Sequence, residues 1–339
     1  MGLAALAVTS PSAALVFALP ADIGQYLLRV AKFTPAETAS LESGQVIVKL
    51  APGGVEQEVF ALAAVKIRAP RKQVVEYYGR MVSYIDGEVT KGFGRFSNPP
   101  TPADVKGMSL DAAEVAQVKS CQPGDCDLRF SGNAITKVRT AVDWNGADPA
   151  GQVNALFRQS AVDYVSAYMK SGDDALITYG DHATPTSLKA EWQSLLQGSP
   201  YFQQYTPALR DFLSQYPRRQ LPGATNIIYW VNDTYGGLKP VISIVHGVSY
   251  EPPDQPDRTV LVQKQLYASH YYDGSLAVAV AVDSSEGGTP VTYLIYGNRS
   301  RGDGLKGGFG GLKRRMAADQ ARKAAVETLE TVKTQLEKK

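Results

Sequence analysis

Few residues in this 339-residue chain are suited to catalysis or to holding a metal. It has three histidines and two cysteines, and it lacks H-E-x-x-H, C-x-x-C, G-x-S-x-G and EF-hand patterns. His246 closes the apolar run Ile242-Ser-Ile-Val-His246 and, by strand alternation, shares a side with Ile242, Ile244 and Val248. If that side faces a cavity, the imidazole can anchor a ligand's polar end or move a proton; the same position also suits a histidine satisfied in a packed core. His270 lies in the cluster Tyr267-Ala-Ser-His-Tyr-Tyr-Asp273, where alternation puts His270 and Tyr272 on one face and Tyr267 and Tyr271 on the other. His182 follows Asp181 in a loop, where the two can form a dyad. The candidate ligand anchors are His246, His270, Tyr272, Asn298 and Arg299. No residue is assigned as catalytic, and no metal or cofactor is expected.

Cys121-Gln-Pro-Gly-Asp-Cys126 places two thiols on either side of a Pro-Gly turn, so a short-loop disulfide is expected. Such a bridge points to an oxidising compartment. Residues 1–21 are apolar, carry no charge and end in small residues, like the core and cleavage zone of a secretory signal; they lack a basic start, and Pro11 interrupts them. A periplasmic or extracellular location is the expectation from both features.

Gly302-Asp-Gly-Leu-Lys-Gly307 spells G-x-G-x-x-G, but the dinucleotide fingerprint needs a parallel strand after its helix, and none follows here. The segment reads instead as a flap or as plain turns. Lys306, Lys313, Arg314 and Arg315 gather beside it at the start of the last helix, where the helix dipole disfavours cations. A cluster of this kind can touch an anionic bilayer transiently, or can be a solvated helix end.

Hydrophobic residues make up 44% and charged residues 20%, enough apolar material for a core and too little charge for global disorder. Thirty-five Lys+Arg against 33 Asp+Glu leave a net charge of +2, which argues against a nucleic-acid binder.

The elements that must position these residues follow from periodicity and punctuation. Thr34-Pro-Ala-Glu37 is a capping box opening a helix that stops at Gly44. Strands over 45–50 and 56–67 form a hairpin across Pro52-Gly53-Gly54. Pro70 opens a helix with the stripe Val74, Tyr78, Met81 and Ile85, and a strand is expected over 87–96. Asn98-Pro-Pro-Thr-Pro102 then leads into a helical block, with Asp111 and Asp148 as caps and Gly172 as a stop. Hairpin strands return from Asn226 to Tyr296, over 227–232, 241–250, 259–272, 275–282 and 291–296, with turns at Gly236-Gly237 and Gly287-Gly288. A helix over 312–337 ends the chain. In the strand 275–282, Leu276, Val278, Val280 and Val282 make one large face and Ala277, Ala279 and Ala281 one small face. Neither is polar, so both sides must be covered, by the terminal helix and by the helical block.

A strand leading through Ile67-Arg-Ala-Pro70 into a helix, then an antiparallel meander and one long C-terminal helix, resembles the helix-grip fold of the START and polyketide-cyclase (SRPBCC) superfamily. The resemblance covers residues 45–96 and 226–337. It implies an α+β fold: a curved antiparallel sheet around the terminal helix, here interrupted by a large α-helical insertion that departs from the compact fold. Tyr267-Ala-Ser-His-Tyr271 and Tyr296-Gly-Asn-Arg-Ser-Arg301 are similar to stretches in a group of exported bacterial proteins. The implied organisation is 1–21 signal peptide, 22–96 and 223–339 the two parts of the helix-grip domain, and 97–222 the insertion. The implied function is binding or transport of a hydrophobic, lipid-like small molecule in an internal cavity. The alternatives are an enzyme of the same fold using a cavity histidine, and a structural or interaction protein whose core is filled.

Overall fold

A computed structural model describes residues 19–51, 53–84, 90–234, 238–306 and 310–338. Most of the leader, Pro52, Ile85, the start of the strand expected from Gly87, the Gly236-Gly237 turn and residues 307–309 of the glycine-rich segment lie outside the described residues.

Helix α1 (Ala21–Gln25) runs into a π-helical turn, Tyr26–Val30, which buries Tyr26 and Leu27. Helix α2 (Pro35–Glu42) has its expected capping box: the Glu37 amide donates to Thr34 Oγ1 at 3.2 Å and the Thr34 amide to Glu37 Oε2 at 2.6 Å. It stops at Gly44, whose φ of 88° is in the region only glycine enters freely. Strands β1 (Ile47–Ala51) and β2 (Glu58–Ile67) form the first hairpin. Helix α3 (Arg71–Tyr84) buries Val74 and Tyr78, and β3 (Thr90–Arg95) follows.

The helical block comes next. It comprises α4 (Ala112–Ser120), α5 (Gly132–Ala141), α6 (Pro149–Ser171), a two-residue ladder of β4 (Thr178–Tyr179) and β5 (Thr186–Ser187), then α7 (Leu188–Gln197), α8 (Pro200–Gln204) and α9 (Pro207–Gln215). Asp111 caps α4 and Asp148 caps α6, as their spacing predicts. The Cys121–Cys126 disulfide is formed, closed by a tight turn in which Gly124 has φ 89°. The meander is β6 (Ala224–Asp233), β7 (Val241–Tyr250), β8 (Arg258–Ala268), β9 (Gly274–Glu286) and β10 (Thr289–Arg301), and α10 (Gly310–Glu337) completes the chain.

These strands form one open, antiparallel, eight-stranded sheet in the order β1-β2-β10-β9-β8-β7-β6-β3. The first and last strands of the predicted grip, β2 and β10, are neighbours, and the block is inserted between β3 and β6. One expectation needs correcting. Strand β8 ends at Ala268 rather than Tyr272, and Tyr271 adopts a left-handed φ of 63°. Alternation therefore fails across 269–273, and the facing predicted for His270, Tyr271 and Tyr272 does not hold.

The two sides of β9 are covered as its side chains require. Leu276, Val280 and Val282 join a core with Trp192, Leu195, Leu196 and Phe202 of the block. Ala279 and Ala281 join a second core with Val74 and Tyr78 of α3 and Ala325, Leu329 and Val332 of α10. Alanines let the helices sit close, and the large aliphatic residues fill the wider gap on the block side. Leu329 is fully buried at the centre of the second core. Leu329→Ala should lower stability by about 2–5 kcal/mol, read as a lower denaturation midpoint with an unchanged slope. A loss under about 0.5 kcal/mol would show that α10 is not part of the folded core.

Candidate functional site

The sheet face toward α3 and α10 carries its shortest side chains. Gly247 on β7 and Ala277, Ala279 and Ala281 on β9 all point this way, with Ala63 on β2. The second half of α10 closes over Ala63, Ala279 and Ala281. Beside it, between α3 and strands β6 to β9, the cover is incomplete, and a groove of about 280 Å³ remains with Ala279 at its edge. Its walls are Val75, Tyr78 and Gly79 of α3, Ile227 and Tyr229 of β6, and Leu261 and Gln263 of β8; its floor is Gly247, Ala277 and Ala279. Gly79 faces space: a Cβ there would meet nothing within 4 Å. A Cβ at Gly247 would lie 3.3 Å from the Tyr229 ring.

Glu76 and Arg80 of α3 and Arg95 of β3 also line the groove, and the other polar groups of this face are uncharged side chains that hydrogen-bond. Gln263 Nε2 donates to the Tyr229 hydroxyl at 2.8 Å, leaving the amide oxygen as an acceptor. Burial raises the hydroxyl pKa values of Tyr78, Tyr229 and Tyr296, and that of Tyr272 to about 12, with Asp233 adding to the shift at Tyr272. Each keeps its proton and can act as donor or acceptor. Farther along, Asn298 Nδ2 donates to Tyr296 Oη at 2.9 Å, and Gln265 Nε2 donates to Ser243 Oγ at 3.3 Å. Gln265 Oε1 is buried without a partner. This arrangement suits an amphiphilic guest, with apolar contact in the groove and neutral hydrogen bonds along its inner edge.

The expected anchors are not brought together. Tyr272 and Asn298 belong to this face, near Tyr296. Arg299 alternates to the other face, where Nε donates to Glu58 Oε1 at 2.7 Å and Nη1 to the Leu195 carbonyl at 3.2 Å. It borders a small apolar cavity of about 50 Å³ with Tyr26, Phe60, Tyr201 and Phe202. His270 is buried against the block, with Nε2 3.0 Å from Glu114 Oε1 and Nδ1 3.1 Å from the Asp127 carbonyl. His246 is fully buried on the block side, with Nδ1 2.9 Å from the Tyr168 hydroxyl and its ring against Tyr216. Neither histidine lines either cavity. Asp181 is buried and meets Arg129 Nε at 3.3 Å, and His182 Nε2 lies 3.5 Å from it.

Beside His246 is a group the sequence analysis did not single out. Lys264 is fully buried, its ammonium paired with Asp173 and 4.2 Å from the centre of the Trp192 ring. Burial lowers its pKa to about 8, against the opposing pull of Asp173. Its signal was present: Lys264 falls in alternation with Val260 and Val262, on an apolar face. The groove residues were marked too, since Leu261, Gln263 and Gln265 share the opposite face. Among the described residues no group of three or more His, Cys, Asp or Glu is placed to hold a metal, and no helix is long and apolar enough to cross a membrane.

No family model matches the chain, and no curated protein matches it.

Burial, helped by the Lys264 charge, holds the His246 pKa down at about 3, against 6.5 for a free imidazole. The fold keeps His246 neutral, so as pH falls from 6.5 toward 3 the unfolded chain takes up a proton that the folded chain refuses. Stability is therefore lost across that window, approaching about 1.4 kcal/mol per pH unit. His246→Gln keeps an acceptor for Tyr168 and removes the titration. Between pH 6.5 and 5 its denaturation midpoint should fall less than that of the unsubstituted protein; parallel curves would contradict a neutral buried imidazole.

Proposed function

We propose that this protein binds a small, largely apolar molecule in the groove between α3 and the sheet, as a carrier or sensor. The observation that carries this reading is the open space over Gly247, Ala277 and Ala279, which the side chains of the described residues do not fill. A dry cavity of about 150 Å³ suffices for benzene, so about 280 Å³ suits a bicyclic ring system or a short acyl chain. The strand order, with α3 after β2 and α10 after β10, supports membership of the helix-grip superfamily. The Cys121–Cys126 disulfide supports an exported location.

The neutral fluorophore N-phenyl-1-naphthylamine should bind saturably and brighten. Gly79→Leu and Ala277→Leu place side chains in the groove, and should weaken that binding at least about tenfold, or about 1.4 kcal/mol, with thermal denaturation showing that each variant is folded. Unchanged binding in both variants would place the probe elsewhere and defeat the reading.

A further inference from the structure

The first turns of α10 expose two large apolar side chains. Leu312 is 62% exposed and Met316 61%, more than any other large hydrophobic residue among those described. They are four residues apart, so they stack on one side of the helix. That side is opposite the stripe of Ala325, Leu329 and Val332 that packs on the sheet, and no rotation of α10 buries both sets at once. A pair of exposed apolar residues on a folded helix needs a partner or a reason to remain wet.

The charge around the pair indicates which partner. Lys313 and Arg315 flank it and are exposed, and Lys306 is exposed just before the helix. Arg314 turns inward, donating to Glu56 Oε1 and to the Leu305 carbonyl, both at 2.8 Å, which fixes the first turn against the β1–β2 hairpin. Asp319, three residues on from Met316, is the one acidic residue between 306 and 323. Arg322 and Lys323 continue the exposed cationic run, and Glu327 and Glu330 appear only beyond them, so the stretch 306–323 is basic throughout while the exposed apolar pair is confined to the helix tip. A protein partner with an apolar pocket would fit Leu312 and Met316 alone. An anionic bilayer fits the whole set, since the acyl region takes the two apolar side chains while the headgroups meet Lys306, Lys313 and Arg315.

We infer that the tip of α10 is a docking surface for anionic membranes, with Leu312 and Met316 inserting and the three cations holding the headgroups. The contact is peripheral and reversible, because two side chains and three charges fall well short of a stable anchor.

The test is flotation of the full chain with vesicles of pure phosphatidylglycerol or of pure phosphatidylcholine, alongside Leu312→Ser/Met316→Ser and Lys306→Gln/Lys313→Gln/Arg315→Gln. All substituted positions are exposed, so Tm should be unchanged in both variants. The protein should float with phosphatidylglycerol and not with phosphatidylcholine. Either variant should weaken binding about tenfold or more, and salt near 0.5 M should release it. Failure to bind either vesicle, or binding unaffected by the substitutions, would overturn the inference. So would a concentration-dependent dimer in sedimentation velocity that Leu312→Ser/Met316→Ser abolishes, which would make the occupant a second copy.

Discussion

A charge on a buried sheet face must be met by a counter-charge, and this requirement governs how the two halves of the protein join. Lys264 stands between Val262 and Leu266 on the face that the helical block covers, with no access to water. Its partner Asp173 is delivered by Gly172, where a φ of 61° and contact with the Tyr216 carbonyl exclude any residue with a side chain. The same logic recurs. Glu58 is clamped between Arg299 and Arg301, and Arg301 also meets Glu191 of α7 at 2.9 Å. Asp273 meets Arg129 at 2.7 Å. Breaking such a pair strands a buried charge at a cost of about 3–5 kcal/mol, so the block is held in one position on the sheet.

A face closed in this way leaves little room. The cavity on the block side amounts to about 50 Å³, against about 280 Å³ on the other. That difference follows from side-chain size. Leucine and valine on one side of β9 reach the block, whereas alanine on the other side cannot fill the gap to α3 once α10 has covered only part of it. His246, His270 and Lys264 lie in the closed half, and the hydrogen-bonding tyrosines and amides lie in the open half, whose groove Glu76, Arg80 and Arg95 also line.

Much of the fold was legible in the sequence because it is written in local chemistry. Caps at Thr34, Asp111 and Asp148, the stop at Gly172 and the Gly287-Gly288 hairpin each act over a few residues. The two-sided cover of β9 was legible in its valine and alanine alternation. The site was harder. His246 does sit with Ile242, Ile244 and Val248, but which helices cover that side depends on pairings far apart in sequence. The end of β8 at Ala268 depends on Tyr271 turning left-handed, which a tyrosine does not advertise. Asn298 and Arg299 are adjacent on β10, so alternation alone puts them on opposite faces of the sheet. Lys264 required reading one charged residue in an apolar row as a buried ion and not as a solvated side chain.

The measurement that most directly tests the groove as a binding site is native mass spectrometry of protein purified from its own host, followed by organic extraction. A groove built to hold a guest predicts a stoichiometric, small, apolar molecule that co-purifies and is recovered in the extract. A clean apo mass, with no uptake when the protein is offered a total lipid extract, would contradict it and leave a protein whose surfaces, rather than its interior, do the work.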